Sequence, residues 1–308
     1  TIIFLFLGFL TSLLFPPYFF LPLGFLIFPI ICFFIEKNIN KLTFINFFQL
    51  SFSFAFSFFL SFLLWIQNPF YIFEDTKNLF FISILLIILL AFIFCLVFTI
   101  IIKFNKIISI IFLIPLTFTT FEYIISIILY GFPWITFSLI FSNVENFTFI
   151  IKHFGTIIFS YLTIQIFCLP YLFLTQESYK IKNLYYSIFI IFPLILVFFF
   201  NSITNKDKKT INTKINLEIF QLNNSVISSK QDLHKRLNRI IDYISNSTAD
   251  VLVFGENNYP YLIKENELQF IQNIMRKNQT LIIGGTRVKN GNYYNSLLNI
   301  TRDNIFYF

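Results

Sequence analysis

Charge is scarce in this chain. Asp, Glu, Lys and Arg make up 12% of its 308 residues, about half the share found in an ordinary soluble domain. That rules out a conventional soluble fold over most of the length. Glycine (8) and methionine (1) are also rare, and no glycine-rich phosphate-binding fingerprint can be assembled around Gly284-Gly285. The three cysteines, Cys32, Cys95 and Cys168, all sit in apolar runs with neither metal-ligand nor disulfide spacing. They read as small buried apolar side chains. A basic stripe with interleaved aromatics is missing too, so the net charge of +7 does not point to nucleic acid; lysines flanking membrane segments account for it better.

What is present is hydrophobic: 57% of the residues, 49 of them Phe. Ile, Asn and Lys are abundant as well, a skew that looks like A/T-rich codon drift, so a single Phe carries little information. The chain begins without Met inside an apolar run and stops just after a strand-like segment, and both ends are read as candidate truncation points. A membrane-spanning helix needs about 20 predominantly apolar residues. On that rule seven spans are expected: Ile2–Phe15, Tyr18–Ile35, Phe44–Ile66, Leu79–Ile102, Ile107–Tyr130, Phe154–Leu174 and Leu184–Phe200. Pro16-Pro17 separates the first two, which could instead form one kinked or re-entrant unit. Lysine pairs fall in alternate connections: Lys37 and Lys41, Lys103 and Lys106, Lys180 and Lys182. The positive-inside rule makes those connections cytoplasmic, and seven spans then deliver Asn201 onward to the outer side.

Three features of the membrane part stand out. The connection after the fifth span reads Gly131-Phe132-Pro133-Trp134. Trp134 is either an interfacial anchor, since indole is half apolar and half polar, or, with Phe132, part of a surface that holds a lipid or peptide substrate. Glu122 lies inside the fifth span, where a carboxylate is a functional candidate; it is also close enough to the loop to snorkel outward. His153 reads as a surface or interfacial residue.

Composition changes sharply at residue 201. A polar linker over 201–213 precedes a strand over Ile215–Leu222, a helix capped by Ser228 or Ser229, a buried strand at Val251–Phe254, a helix over Glu265–Lys277, a strand over Thr280–Ile283 ending at Gly284-Gly285, and a strand over Tyr293–Ile300. That order predicts an α/β layer. Glu256 follows the Val251–Phe254 strand, at the carboxyl end where such sheets bind ligands. Partial burial would suit it to general-base work; the alternative is a solvated loop carboxylate.

Taken in order, these residues resemble the apolipoprotein N-acyltransferases. The resemblance rests on Gly131-Phe132-Pro133-Trp134, Glu256-x-x-x-Pro260 and Tyr294-Asn295-Ser296 within a seven-span topology, and it covers essentially the whole chain. It implies a multi-span helical membrane bundle over residues 1–200 followed, over 214–308, by the first part of a nitrilase-like αββα domain on the periplasmic side of the bacterial inner membrane. The implied activity moves a fatty acyl group from a phospholipid donor, through an enzyme thioester, to the α-amine of a diacylglyceryl-cysteine apolipoprotein. No cofactor or metal is implied. Of the family's Glu, Lys and Cys set, Glu256 matches the general base, Trp134 a functional loop position, and Tyr294 and Asn295 a strand motif expected to be structural.

Two departures qualify the match. Gly255 stands where the family usually has proline before the glutamate, which loosens the backbone that aims it. The expected Lys and Cys should follow Asn295 and do not occur before Phe308, so residues 1–308 alone are expected to be inactive. Other classes remain: a transporter with a soluble appendage, which intramembrane charges beyond Glu122 or inverted repeats would favour, and a non-catalytic membrane scaffold, for which Gly255 is the hint.

Overall fold

A computed structural model describes residues 1–105, 108–128, 134–174, 181, 183–189, 191–192, 195, 199, 214–222, 229–264 and 268–308, with the side chains of 145–150 left aside. The chain divides into two compact units, Thr1–Lys208 and Lys209–Phe308. The expected linker over 201–213 and the helix cap at Ser228 lie outside the described residues.

Among the described residues, the regular structure of the first unit is all helical. Its helices are α1 (Ile2–Ser12), α2 (Gly24–Asn38), α3 (Phe44–Leu63), α4 (Phe81–Phe104), α5 (Ile110–Ile128) and α6 (Glu145–Cys168), with 3-10 turns at Leu21–Leu23, Leu64–Tyr71, Glu74–Leu79, Phe137–Phe141 and Leu169–Leu174. Five helical stretches among the described residues are long and apolar enough to cross a membrane: Leu21–Asn38, Phe44–Tyr71, Glu74–Phe104, Ile110–Ile128 and Ile151–Leu174. The seven-span expectation is therefore met only in part. Helix α1 has 11 residues and falls short of a span; of the expected seventh, 184–189, 191–192, 195 and 199 are described and helical, and the rest lies outside the described residues. The proline pair separates two distinct helices, α1 and α2. Within α6, Gly155 has φ +77°, a left-handed value that breaks the helix. A residue with a Cβ is strained there, and glycine is not.

Aromatic rings carry much of the packing between helices, beside polar contacts such as Ser51 Oγ of α3 with Thr99 Oγ1 of α4 at 3.4 Å. Phe94 packs edge-on to Phe118 and Phe121 at centroid distances of 5.0 and 5.3 Å, a geometry that sets a ring's positive edge against another's negative face. Phe28 of α2 stacks on Phe167 of α6 at 5.7 Å. Small residues appear where backbones meet. A Cβ on Gly8 would lie 2.1 Å from the Phe54 carbonyl oxygen, so α1 and α3 touch backbone to backbone. At one end of the bundle the Lys103 ammonium donates to the carbonyls of Ile39 and Leu42, both at 2.5 Å, tying α4 to the connection between α2 and α3. Asn183 donates to Ser109 at that same end. Trp65 and Trp134 meet at 4.8 Å, joining the connection after α3 to the one after α5.

The second unit is a five-stranded sheet in sequential order: β1 (Leu217–Phe220), β2 (Val251–Phe254), β3 (Thr280–Lys289), β4 (Asn292–Thr301) and β5 (Ile305–Tyr307). β1, β2 and β3 run parallel; β4 and β5 are antiparallel additions. Helices α7 (Lys230–Asn246) and α8 (Gln269–Ile274) connect the parallel strands. Ser229 caps α7 in a reciprocal capping box with Asp232. The bonds from Ser229 hold the Asp232 carboxyl below the usual carboxylate range. Two expectations are corrected. β3 does not end at Gly284-Gly285; it continues to Lys289 because β4 pairs with it along its whole length. The second helix is only six residues long, Gln269–Ile274.

The sheet is covered on one side. Ile240, Ile244, Leu268 and Ile271 of the helical layer bury Leu252, Phe254, Leu281, Ile283, Leu298 and Ile300. Alternate residues face the other way, and there Leu217, Ile219, Leu297 and Phe306 are 54%, 74%, 48% and 51% exposed.

The contact at Gly8 makes a direct test. Gly8→Ala forces α1 and α3 apart, because the obstacle is backbone and cannot rotate away. Overpacking of this kind costs about 1–3 kcal/mol or more. The variant should give a lower melting temperature and less monodisperse protein in detergent than Ala substitution at exposed Phe9.

Candidate functional site

In the helical unit the candidate residues gather around a segment that folds back into the bundle. After Trp134 the chain does not stay at the surface: Ile135, Phe137, Ser138 and Ile140 are all buried. Phe137 packs between Phe15, Phe118 and Phe58 at 5.1, 5.1 and 6.0 Å. Its amide donates to Glu122 Oε2 at 3.2 Å, and the next amide, of Ser138, donates to Ser160 Oγ at 2.9 Å. Glu122 lies six residues before the end of α5, about 9 Å down its axis at 1.5 Å per residue. The returning segment therefore reaches well below the end of the helix.

Glu122 is 3% exposed. It does not snorkel; it turns inward and accepts a backbone amide. Its second oxygen, Oε1, has no partner among the described residues. Trp134 is 44% exposed and leans on Trp65 with the rings tilted 42°. Phe132, with Gly131 and Pro133, lies outside the described residues. His153 is exposed.

In the sheet unit, Glu256 sits on an excursion from the line of β2. The strand pairs with β3 up to Val253, leaves it, and returns where Ile263 bridges Arg287. The departure and return are pinned to β3: Gly284 N donates to Gly255 O at 3.3 Å and Tyr259 N to Gly284 O at 3.0 Å. Between these bonds the backbone of residues 255–257 crosses directly over Gly284. A Cβ there would lie 2.7 Å from Glu256 Cα and 2.9 Å from Asn257 N. Gly285 does the same on the opposite face, where a Cβ would meet Ile263 Cδ1 at 2.7 Å. The two glycines are a packing device rather than a phosphate loop. Asn257 completes the turn at φ +53°, a left-handed value that Asn tolerates better than most residues.

The excursion lifts Glu256 onto the bare face of the sheet, where it is exposed and not partly buried as general-base work was expected to require. There Asn295 Nδ2 donates to Glu256 Oε1 at 2.5 Å. Thr286, opposite Asn295 in the ladder, bonds Asn257 Oδ1 at 3.5 Å. Sequence reasoning placed Glu256 at a strand end but assigned Asn295 only a structural role and gave Gly284 none in aiming it. The signal was available in Gly284-Gly285 and Tyr294-Asn295-Ser296, but only the β3–β4 register, which sets Gly285 opposite Ser296 and Thr286 opposite Asn295, makes them neighbours. The cysteines stay out of both sites: Cys32, Cys95 and Cys168 are buried and free in the helical unit, with Cys95 bonded to Phe48 O and Ser51 Oγ and Cys32 lying 3.7 Å from Cys168.

Apolar helices of spanning length and a separate mixed sheet bearing an oriented carboxylate define a membrane protein with an appended polar unit. The profile of the apolipoprotein N-acyltransferase N-terminal domain matches residues 7–169, more than half of the chain and nearly all of α1–α6. The chain belongs to the apolipoprotein N-acyltransferase family, and membership points to a role in apolipoprotein N-acylation at a membrane. No curated protein matches the chain.

Gly284→Ala tests the seat of Glu256. The added methyl should displace the 255–257 turn and weaken the Tyr259 amide bond. Hydrogen exchange at Tyr259 should then rise by about tenfold for each ~1.4 kcal/mol lost, while α7 amides keep their protection. Unchanged exchange at Tyr259 would show that the turn does not depend on this glycine.

Proposed function

We propose that this chain is the acyl-transferring kind of family member, and that Glu256 is its general base. The observation that carries the reading is the Glu256–Asn295 pair, raised on its excursion onto an open sheet face. An oriented acceptor is what base catalysis requires. The bare apolar side supports a nitrilase-like αββα sandwich, since a sheet with helices on one face and exposed Leu217, Ile219, Leu297 and Phe306 on the other needs a second layer. We read residues 1–200 as the membrane domain and 214–308 as the first part of that sandwich, joined by the 201–213 linker.

The chemistry would run in two stages. A cysteine thiol loses its proton to Glu256 and attacks the ester carbonyl of a phospholipid. The acyl–oxygen bond breaks, the lysophospholipid alcohol leaves with that proton, and a thioester remains. The α-amine of a diacylglyceryl-cysteine apolipoprotein then attacks the thioester, giving a proton to Glu256 and returning the thiol. A lysine would hold the oxyanion of each tetrahedral intermediate. Residues 209–308 contain no cysteine, so the thiol is not among them. Trp134, with Phe132, would meet the lipid or lipopeptide. The clustering of Lys103 with the connection between α2 and α3, on the end away from the tryptophan pair, supports an orientation with the lysines cytoplasmic and the sheet unit in the periplasm.

Two experiments test this. In a form that also carries the lysine and cysteine, Glu256→Gln keeps the size and removes the basicity. It should insert normally but form acyl-thioester about 10²–10⁴-fold more slowly, measured by mass after incubation with phospholipid. Thioester formed at the wild-type rate would remove Glu256 from the mechanism. Separately, a cysteine engineered at Asn143 should be labelled from outside intact cells and one at Asn105 should not. Labelling at Asn105 would reverse the orientation.

A further inference from the structure

We infer that Glu122 is the positioning residue for Trp134, acting through the amide of Phe137. The inference rests on the backbone accounting of the segment that returns into the bundle. A helix start leaves its first amides without intrahelical acceptors, and where water is excluded each such amide must find a protein acceptor. At Phe137–Phe141 the first amides are Phe137, Ser138 and Leu139. Leu139 N reaches Thr136 O at 3.0 Å. The other two have side-chain acceptors from separate helices: Glu122 Oε2 of α5 for Phe137 and Ser160 Oγ of α6 for Ser138. The buried turn is held like a pin between two jaws.

The consequence falls on Trp134, three residues upstream of the clamped amide. Ile135 is fully buried and Phe137 is wedged between Phe15, Phe58 and Phe118, so the short stretch from Trp134 to Phe137 has little slack. Fixing the Phe137 amide fixes where the indole emerges and lets it meet Trp65 at 4.8 Å. What Glu122 contributes is an acceptor oxygen of the right reach. Gln has one, and Met, of similar length, has none.

These are the two tryptophans of the chain, so their coupling can be read without labels. The red-edge tryptophan band in near-ultraviolet circular dichroism reports the pair, and Trp65→Phe in detergent-purified protein gives its value when uncoupled. Glu122→Met should lose the pair signal to the Trp65→Phe level, and Trp134, observed alone in a Trp65→Phe background, should become more accessible to a soluble quencher. Glu122→Gln should keep both readouts at wild type. Ser160→Ala, which removes the second jaw and leaves Glu122 intact, should weaken the signal without abolishing it, and it stands in if Glu122→Met does not fold. Unchanged pair signal in both Glu122→Met and Ser160→Ala would overturn the inference. So would a Gln variant that behaves like Met, because acceptance of the amide is then not what matters. The importance of Trp134 to acyl transfer belongs to the functional reading above and is separable. A Glu122→Met protein that loses the tryptophan coupling yet transfers acyl groups normally leaves the positioning intact and removes Trp134 from catalysis.

Discussion

A backbone amide that enters a water-excluded interior must leave with an acceptor. For a helix the requirement satisfies itself everywhere but the ends. This chain meets the difficulty where the segment after Trp134 turns back into the bundle and exposes a fresh helix start to an apolar environment. Glu122 and Ser160 answer it. The burial of a carboxylate and a hydroxyl in these two helices is matched by the two amides they serve. The aromatic packing around Phe137 depends on that arrangement, since rings can close around the turn only if its polar groups are already satisfied.

The sheet unit solves a different problem with similar economy of parts. A carboxylate on a strand would point along the sheet normal and be fixed by the ladder. Letting the strand leave its register for a few residues frees Glu256 from that constraint, but the detour needs space. Gly284 provides it on one face and Gly285 on the other, and Asn257 takes the left-handed turn. Asn295 then reaches across from β4 and sets the direction of the carboxylate. Gly255, standing where the family pattern has proline, therefore does not leave the glutamate unaimed: the bonds flanking the excursion and the neighbouring asparagine restrain it.

Much of this was legible in the sequence. Apolar run length located α2 through α5, and the Ser229 cap, the Val251–Phe254 strand and the strand ending near Ile300 stood out by composition and alternation. Local patterns failed where the deciding contact is distant. The extension of β3 through Gly284-Gly285 comes from pairing with β4, and glycine reads locally as a stop. The run Ile2–Phe15 was already shorter than the about 20 residues a span needs, and only Ile2–Ser12 of it is helical. Glu122 looked equally able to face outward or inward; the choice is made by Phe137, fifteen residues away, whose need for an acceptor no helical periodicity encodes. Glu256 was found by its position after a strand, and its partner Asn295, thirty-nine residues on, was not.

Lys103 shows how closely orientation and architecture are joined in a chain with so little charge. Its ammonium belongs to the group of lysines that flank the membrane segments, and it is also a clasp on the carbonyls of Ile39 and Leu42. Under the proposed orientation one residue serves twice, first as a charge on the cytoplasmic side and second as a donor to the folded neighbours it joins. An arginine would satisfy the first, yet its flat guanidinium does not reproduce the compact, freely rotating donor that the second has come to require. In a membrane protein with so little charge, a residue that would mark the cytoplasmic side under the proposed orientation is also part of the fold.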